Sequence, residues 1–255
     1  RKFGITLGTK CGLRCRHCVI SESERGESLT PKEISLLQDA VRKYTPKEIL
    51  FTGGEPTLYL KEVNEILSAH VDPGKCDVVV TTNGQFAVTE KESTRVLEAF
   101  RFLTDVQMSY DIFHAEFVPL SNMKNLYRAA QKKGLGFSVL FSIQTPLDLR
   151  LVKEIRKIGK FKIGIQKVVP FGEARKNGVG FKHPVFDRAV LKKGCPNRRQ
   201  MAYVCGKGFS WCCSEVVFSN SSMQFAHPSV KEHLKSPFYN LISRNSFREL
   251  MKKFR

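Results

Sequence analysis

From residue 2 to about residue 169, short β-branched runs alternate with amphipathic helical stretches six times over, which leaves few folds open. Alternation of this kind is the pattern of a parallel sheet covered by helices. Strands are predicted at 3–7, 48–52, 77–82, 105–110, 137–142 and 162–168. Helix starts fall between them. Thr30-Pro31-Lys32-Glu33 reads as a capping box with proline at the first helical position, Thr89-Glu90-Lys91-Glu92 as a second box, and Thr145-Pro146 as a third start. Within 33–44, Ile34, Leu37, Ala40, Val41 and Tyr44 recur at spacings of three and four, which makes one buried face. Six units are too few for a closed (β/α)8 barrel. The expected fold class is α/β, a partial (β/α)6 barrel with a small C-terminal cysteine-bearing hairpin and helix region. Ligands of parallel α/β sheets bind at the carboxyl ends of the strands, and every motif discussed below follows a strand.

At Pro170 the pattern gives way to a Gly-rich, basic linker, Phe171-Gly172-Glu173-Ala174-Arg175-Lys176-Asn177-Gly178, and then to a second cysteine-bearing region at 194–227. A boundary is expected near residue 184, dividing the chain into 1–184 and 185–255. No apolar run reaches 18 residues and no signal-peptide core opens the chain, so a soluble, cytoplasmic protein without membrane contact is expected. The absence of an initiator Met, and the finish at Met251-Lys252-Lys253-Phe254-Arg255, suggest that both ends are trimmed. Eight cysteines in a reducing compartment favour metal or redox chemistry over disulfides. Cys76 stands apart as a buried, inert thiol.

The net charge of +18, from 42 Lys and Arg against 24 Asp and Glu, suits an acidic partner such as an anionic peptide, a phosphorylated substrate or nucleic acid. A generally basic solvated surface fits as well. No stretch interleaves basic and aromatic residues as a nucleic-acid groove requires, so nucleic acid is disfavoured.

Cys11-Gly12-Leu13-Arg14-Cys15-Arg16-His17-Cys18 follows the first strand and brings three thiols into one loop. Three thiolates on an iron-sulfur cluster leave one iron open to another molecule. A structural zinc site would need a fourth ligand, for which His17 lies awkwardly between the cysteines. Thr52-Gly53-Gly54-Glu55-Pro56 follows strand two, and Thr81-Thr82-Asn83-Gly84 follows strand three. A lone GG pair could be no more than a turn that uses glycine at positive φ. This ordered set resembles the radical S-adenosylmethionine (radical SAM) superfamily, whose signature is CxxxCxxC with an aromatic residue before the last cysteine, a place filled here by His17.

The resemblance implies that Cys11, Cys15 and Cys18 hold a 4Fe-4S cluster. It implies that Gly53, Gly54, Glu55 and Pro56 form the GGE-type motif, with the Glu55 carboxylate on the amino group of S-adenosylmethionine. An electron from a flavodoxin or ferredoxin-type donor would then cleave S-adenosylmethionine to a 5'-deoxyadenosyl radical that abstracts hydrogen from substrate. Thr82, Asn83, Ser109, Asp111 and Ser142 are further candidates for contact with the cofactor, although the serines could simply cap turns. His114 is a candidate substrate acid or base, against the commoner outcome of an exposed loop histidine. Val168 opens a segment, Val168-Val169-Pro170-Phe171-Gly172-Glu173-Ala174-Arg175, that resembles one lying beside the adenine in family members.

Cys195, Cys205, Cys212 and Cys213 lie within nineteen positions, and Cys195, Gly208 and Cys213 are spaced C-x12-G-x4-C. That resembles the opening half of the SPASM or twitch auxiliary-cluster region, with hairpin character at 209–218. No cysteine follows Cys213, so the later ligands of a full module are absent. One auxiliary iron-sulfur cluster is expected at most, with Cys205 or Cys212 substituting as a ligand, with substrate on an open iron, or with further ligands past Arg255; truncation or an unusual cluster is favoured over a plain zinc site. Either of these two could instead be a thiol that donates a hydrogen atom to a substrate radical.

The leading expectation is therefore a radical SAM enzyme that acts on a ribosomally made peptide by epimerisation, cross-linking or related C–H chemistry. A small-molecule enzyme or a protein maturase of the same superfamily is the alternative. The reading from another class, a non-catalytic metal-binding module for nucleic acid, leaves the ordered cofactor motifs without a purpose.

Overall fold

The computed structural model describes residues 2–69, 74–183, 187–212, 217 and 225–253. Six parallel strands form in chain order: β1 Lys2–Thr6, β2 Glu48–Thr52, β3 Asp77–Thr82, β4 Asp105–Ser109, β5 Gly136–Ile143 and β6 Lys162–Lys167. The hairpin β7 Met201–Val204 and β8 Gly208–Ser210 completes one eight-stranded sheet of order β6-β5-β4-β3-β2-β1-β7-β8. β7 runs parallel to β1, and β8 turns back antiparallel. The described hairpin thus lies earlier than the expected 209–218, half of which, with the expected boundary at 184, lies outside the described residues.

Side chains alternate across each strand, so one face is apolar and the other carries most of the polar strand residues. Phe3, Ile5, Ile49, Phe51, Val78, Val80, Val106, Met108, Val139 and Phe141 are buried on the helix side. Against them pack α1 Pro31–Tyr44, α2 Leu60–Leu67, α3 Glu90–Glu98 and α4 Leu120–Lys132. The opposite, concave face carries Thr6, Thr52, Thr81, Ser109, Ser142 and Gln166, and is left for ligands.

The helix starts follow the sequence, with one difference. Thr30 caps α1 reciprocally with Glu33, and Thr145 caps the turn Pro146–Leu149 with Asp148. Thr89 caps α3 by accepting the Glu92 N–H, but the return bond of a full box is absent because the Glu92 carboxylate pairs with Arg95 instead. The chain ends on α5 Arg150–Arg156, α6 Glu173–Lys176, α7 Val230–Lys235, α8 Pro237–Arg244 and α9 Phe247–Lys253. No helix among the described residues is long and apolar enough to cross a membrane.

Candidate active site

Two backbone bonds carry the β1–β2 pairing past the strand ends. The amides of Gly54 and Glu55 donate to the carbonyls of Gly8 at 2.8 Å and Lys10 at 2.7 Å, which locks the glycine turn against the base of the cysteine loop. The approach requires glycine. A Cβ on Gly54 would fall 2.0 Å from the Lys10 carbonyl oxygen, and one on Gly53, whose φ is +140°, would fall 2.6 Å from that of Gly8.

Cys11, Cys15 and Cys18 line one cleft of about 240 Å³ at the carboxyl ends of the strands. Burial pushes the Cys15 thiol up to about 12 and raises that of Cys18 as well. Thiols so placed stay protonated until a cation takes the proton's place. Among the described residues, the only trio of His, Cys, Asp or Glu whose ligand atoms all lie within 4.8 Å of one another is His17, Asp111 and His114. The three sulfurs do not all lie within that distance of one another, and three thiols in one loop are the donor set that a 4Fe-4S cluster with one open iron would take. The Asn83 side-chain amide reaches the Cys11 sulfur at 3.6 Å and the Leu13 N–H reaches it at 3.4 Å, two donors that would stabilise a bound thiolate.

Other expected residues divide into those at the surface of the cleft and those behind it. His17, Gly53, Gly54, Thr82, Asn83, Ser109 and Ser142 line it. Glu55, Pro56, Asp111 and Val168 do not. Glu55 is 4% exposed, and its carboxylate accepts from Thr82 Oγ1 at 2.7 Å, from Asn83 N at 2.9 Å and from Thr57 N and Oγ1. Burial raises its pKa against the pull of those donors. These bonds make the carboxylate a brace that joins the loops after β2 and β3. Pro56 is buried as the first residue of the short turn Pro56–Tyr59 that Glu55 caps, and Val168 packs into the apolar core beside Val139 and Phe141.

Asp111 is fully buried and holds two histidines. His114 Nδ1 lies 2.9 Å from Oδ1 and His17 Nε2 3.5 Å from Oδ2, while the amides of Phe113, His114 and Ser142 also donate to the carboxylate. Burial opposes ionisation, yet the His114 hydrogen bond and the nearby histidines outweigh it and hold Asp111 below the ordinary carboxylate value. Burial also lowers His17 to about 4, and its ring stacks on Phe113 at 4.4 Å. His17 Nδ1 is buried without a hydrogen-bond partner, an orphaned polar atom at the edge of a cleft that a polar ligand would satisfy. His114 is not the exposed loop histidine that its position suggested, because its side chain is only 12% exposed and lines the cleft.

Thr52, Thr81, Leu140 and Gln166 also line the cleft and were not singled out in the sequence. For Thr52, Thr81 and Gln166 the signal was the polar phase of the strand alternation, with Gln166 Nε2 donating to Ser142 Oγ across neighbouring strands at 3.0 Å, whereas Leu140 carried none.

The later cysteines separate. Cys205 belongs to the main core beneath β1 and α1, with Phe3, Ile5 and Leu37. Cys212 packs with Val204, Val217 and Phe225 in a different apolar cluster. Cys195 begins the turn Pro196–Arg199 and lines a shallow surface with Arg244 and Ser246, while Cys213 lies outside the described residues. Among the described residues, none of these thiols joins a group of three ligands.

Residues 5–118 match the Radical SAM superfamily. The curated protein YydG of Bacillus subtilis (strain 168), named for peptide biosynthesis, is 30% identical over 139 residues, which cover 52% of this chain and 42% of YydG. GTP 3',8-cyclase 1 of Mycobacterium tuberculosis (strain CDC 1551 / Oshkosh) is 39% identical over 88 residues, or 31% of this chain and 24% of the cyclase. The match thus spans less than half the length of either relative. Streptococcus suis SuiB bound to S-adenosylmethionine superposes with a TM-score of 0.62 at 15% identity, over 95% of this chain and 67% of SuiB. The structure of anSMEcpe with bound AdoMet and a peptide gives 0.61 at 15% identity, over 94% and 81%. At these identities the likeness is one of fold. Residues 5–118 therefore carry a radical SAM domain, and 95% of the chain shares its fold with SuiB.

Proposed function

We propose that this chain reductively cleaves S-adenosylmethionine and acts on a peptide. The observation that carries the reading is the cleft in which Cys11, Cys15 and Cys18 face the glycine turn and the polar ends of β3, β4 and β5. A 4Fe-4S cluster on the three thiols would supply the electron that breaks the sulfur-to-C5' bond and yields a hydrogen-abstracting 5'-deoxyadenosyl radical. The protein's own residues bind and orient. Asn83 and the Leu13 amide donate toward Cys11, and Gly53 and Gly54 leave the cleft edge free of side chains. Glu55 holds that edge in place from behind. Asp111 fixes the His114 ring through Nδ1, which leaves Nε2 as the nitrogen available to move a proton in the cleft.

Similarity to YydG, named for peptide biosynthesis, supports a peptide substrate. SuiB has a structure with its precursor peptide SuiA that shares this fold over the full chain, with a TM-score of 0.54. The net charge of +18 favours an acidic peptide segment through long-range attraction. Cys195 and Cys212, with Cys213, are the thiols proposed for an auxiliary iron-sulfur cluster. The test is anaerobic reconstitution with iron and sulfide, reduction by dithionite and addition of S-adenosylmethionine. Formation of 5'-deoxyadenosine and methionine in equal amounts supports the reading, and their absence from an iron-loaded protein overturns it.

A further inference from the structure

A second cavity, of about 270 Å³, lies on the concave face of the sheet beside the cleft, and Thr52 lines both. Its floor is a set of cross-strand rows set by the register of three parallel strands. Leu50 pairs with Gly4 and Gly4 with Ala202, while Thr52 pairs with Thr6 and Thr6 with Val204. Trp211 and Cys212 form part of its wall, and the Lys2–Glu48 ion pair, at 2.8 Å, stands at the far end, roughly 13 Å along the strand from the cleft.

Gly4 makes this space. It sits in the middle of β1 with strands paired on both sides, where glycine weakens a sheet and contributes no packing. No positive φ calls for it, and a Cβ built there would meet nothing within 4 Å. The neighbouring floor position on β7 is the small Ala202. The cavity is thus a hollow over the paired strands, bordered by Leu50, Val204 and Trp211, and it is large enough for one side chain, given that roughly 150 Å³ accommodates benzene.

We infer that this cavity is the pocket for an apolar side chain of the peptide substrate, seated beside the residue that enters the cleft. The inference rests on the proposed peptide activity and adds a selectivity to it. An extended peptide places successive side chains about 3.3 Å apart along its backbone, so one residue can occupy the cleft at Thr52 while a near neighbour drops its side chain over Gly4. Selection would come from burial of apolar surface against the cavity walls.

Trp211 is the chain's one tryptophan and reports on the cavity directly. Titration of the full chain with N-acetyl-L-leucinamide, followed by Trp211 fluorescence, is expected to saturate, with binding roughly tenfold to a hundredfold tighter than that of N-acetylglycinamide. Gly4→Ile should remove the preference while circular dichroism shows native folding. Ala202→Leu, which fills the same floor from β7, serves as the second variant should the first not fold. Equal binding of the two amides, or a leucinamide preference that survives filling, overturns the inference. So does saturation by indole with no response to either amide, which would mark a site for a free aromatic molecule. Formation of 5'-deoxyadenosine without peptide reads the parent activity separately. Cleavage without a leucinamide preference removes the pocket alone, and a preference without cleavage removes the proposed activity.

Discussion

The Glu55 carboxylate accepts the backbone N–H of Asn83 at 2.9 Å, which ties the loop after β2 to the loop after β3. Since the Asn83 side chain in turn reaches the Cys11 sulfur, the buried acid acts on the cysteine loop through its neighbour. Removing it leaves buried donors on Asn83 and Thr82 unpaired, at a cost of about 2–3 kcal/mol. Glu55→Ala is therefore expected to lower the melting temperature by roughly 5–10 °C and to reduce iron content together with S-adenosylmethionine affinity. Glu55→Gln, which still accepts through its amide oxygen, should recover part of both. Calorimetry and iron analysis check this, and loss of affinity with full iron content and unchanged stability would return Glu55 to a direct role in binding.

Asp111 gathers three backbone amides and the His114 ring around one buried carboxylate. Asp111→Ala should destabilise the fold by about 3 kcal/mol, because several donors lose their acceptor at once. Asp111→Asn, with one accepting oxygen in place of two, should fall between the variant and the native chain. Equal melting temperatures for all three proteins would show that the polar knot is not structural.

His233 is fully buried, and its Nε2 accepts the Trp211 N–H at 3.1 Å. The proton must then sit on Nδ1, which donates to His227 Nδ1 at 3.0 Å, so both rings are neutral in the fold. Burial, reinforced by His227, lowers His233 to about 4 from an ordinary value of 6.5. The unfolded chain binds the proton first, so stability rises with pH across this window and is lost as pH falls from 6.5 toward 4. Melting temperatures measured between pH 7 and pH 4 should decline less steeply for His233→Gln than for the native protein. A parallel decline in the two proteins would exclude the histidine pair as the source.

Cys205 and Cys212 looked interchangeable in the sequence, but they occupy different apolar clusters. Cys205→Ala should cost about 1 kcal/mol for a small buried void and leave the iron content unchanged. Loss of iron in this variant would place Cys205 in an auxiliary site after all.

Much of the barrel was legible because it rests on local rules. The alternation of Phe3, Ile5, Ile49 and Phe51 with polar neighbours fixes which face packs on helices, and Thr30 and Thr89 announce the helices themselves. The cysteine loop and glycine turn could also be read, since their chemistry depends on spacing within a few residues. What could not be read is set by packing between distant segments. Nothing local says that Glu55 turns inward to Thr82 and Asn83, or that Gly4 opens a cavity only once β7 pairs with β1. His114 likewise leaves the surface only because Asp111 is buried beside it.

The central claim is that Cys11, Cys15 and Cys18 together hold the group at which S-adenosylmethionine is cleaved. The most direct measurement is 5'-deoxyadenosine formed by the anaerobically reconstituted native protein and by the variant with all three cysteines changed to Ala, under dithionite and without peptide. The account predicts product from the native protein and none above the protein-free control from the variant, because no thiolate remains in the cleft. Full cleavage by the triple variant would contradict it.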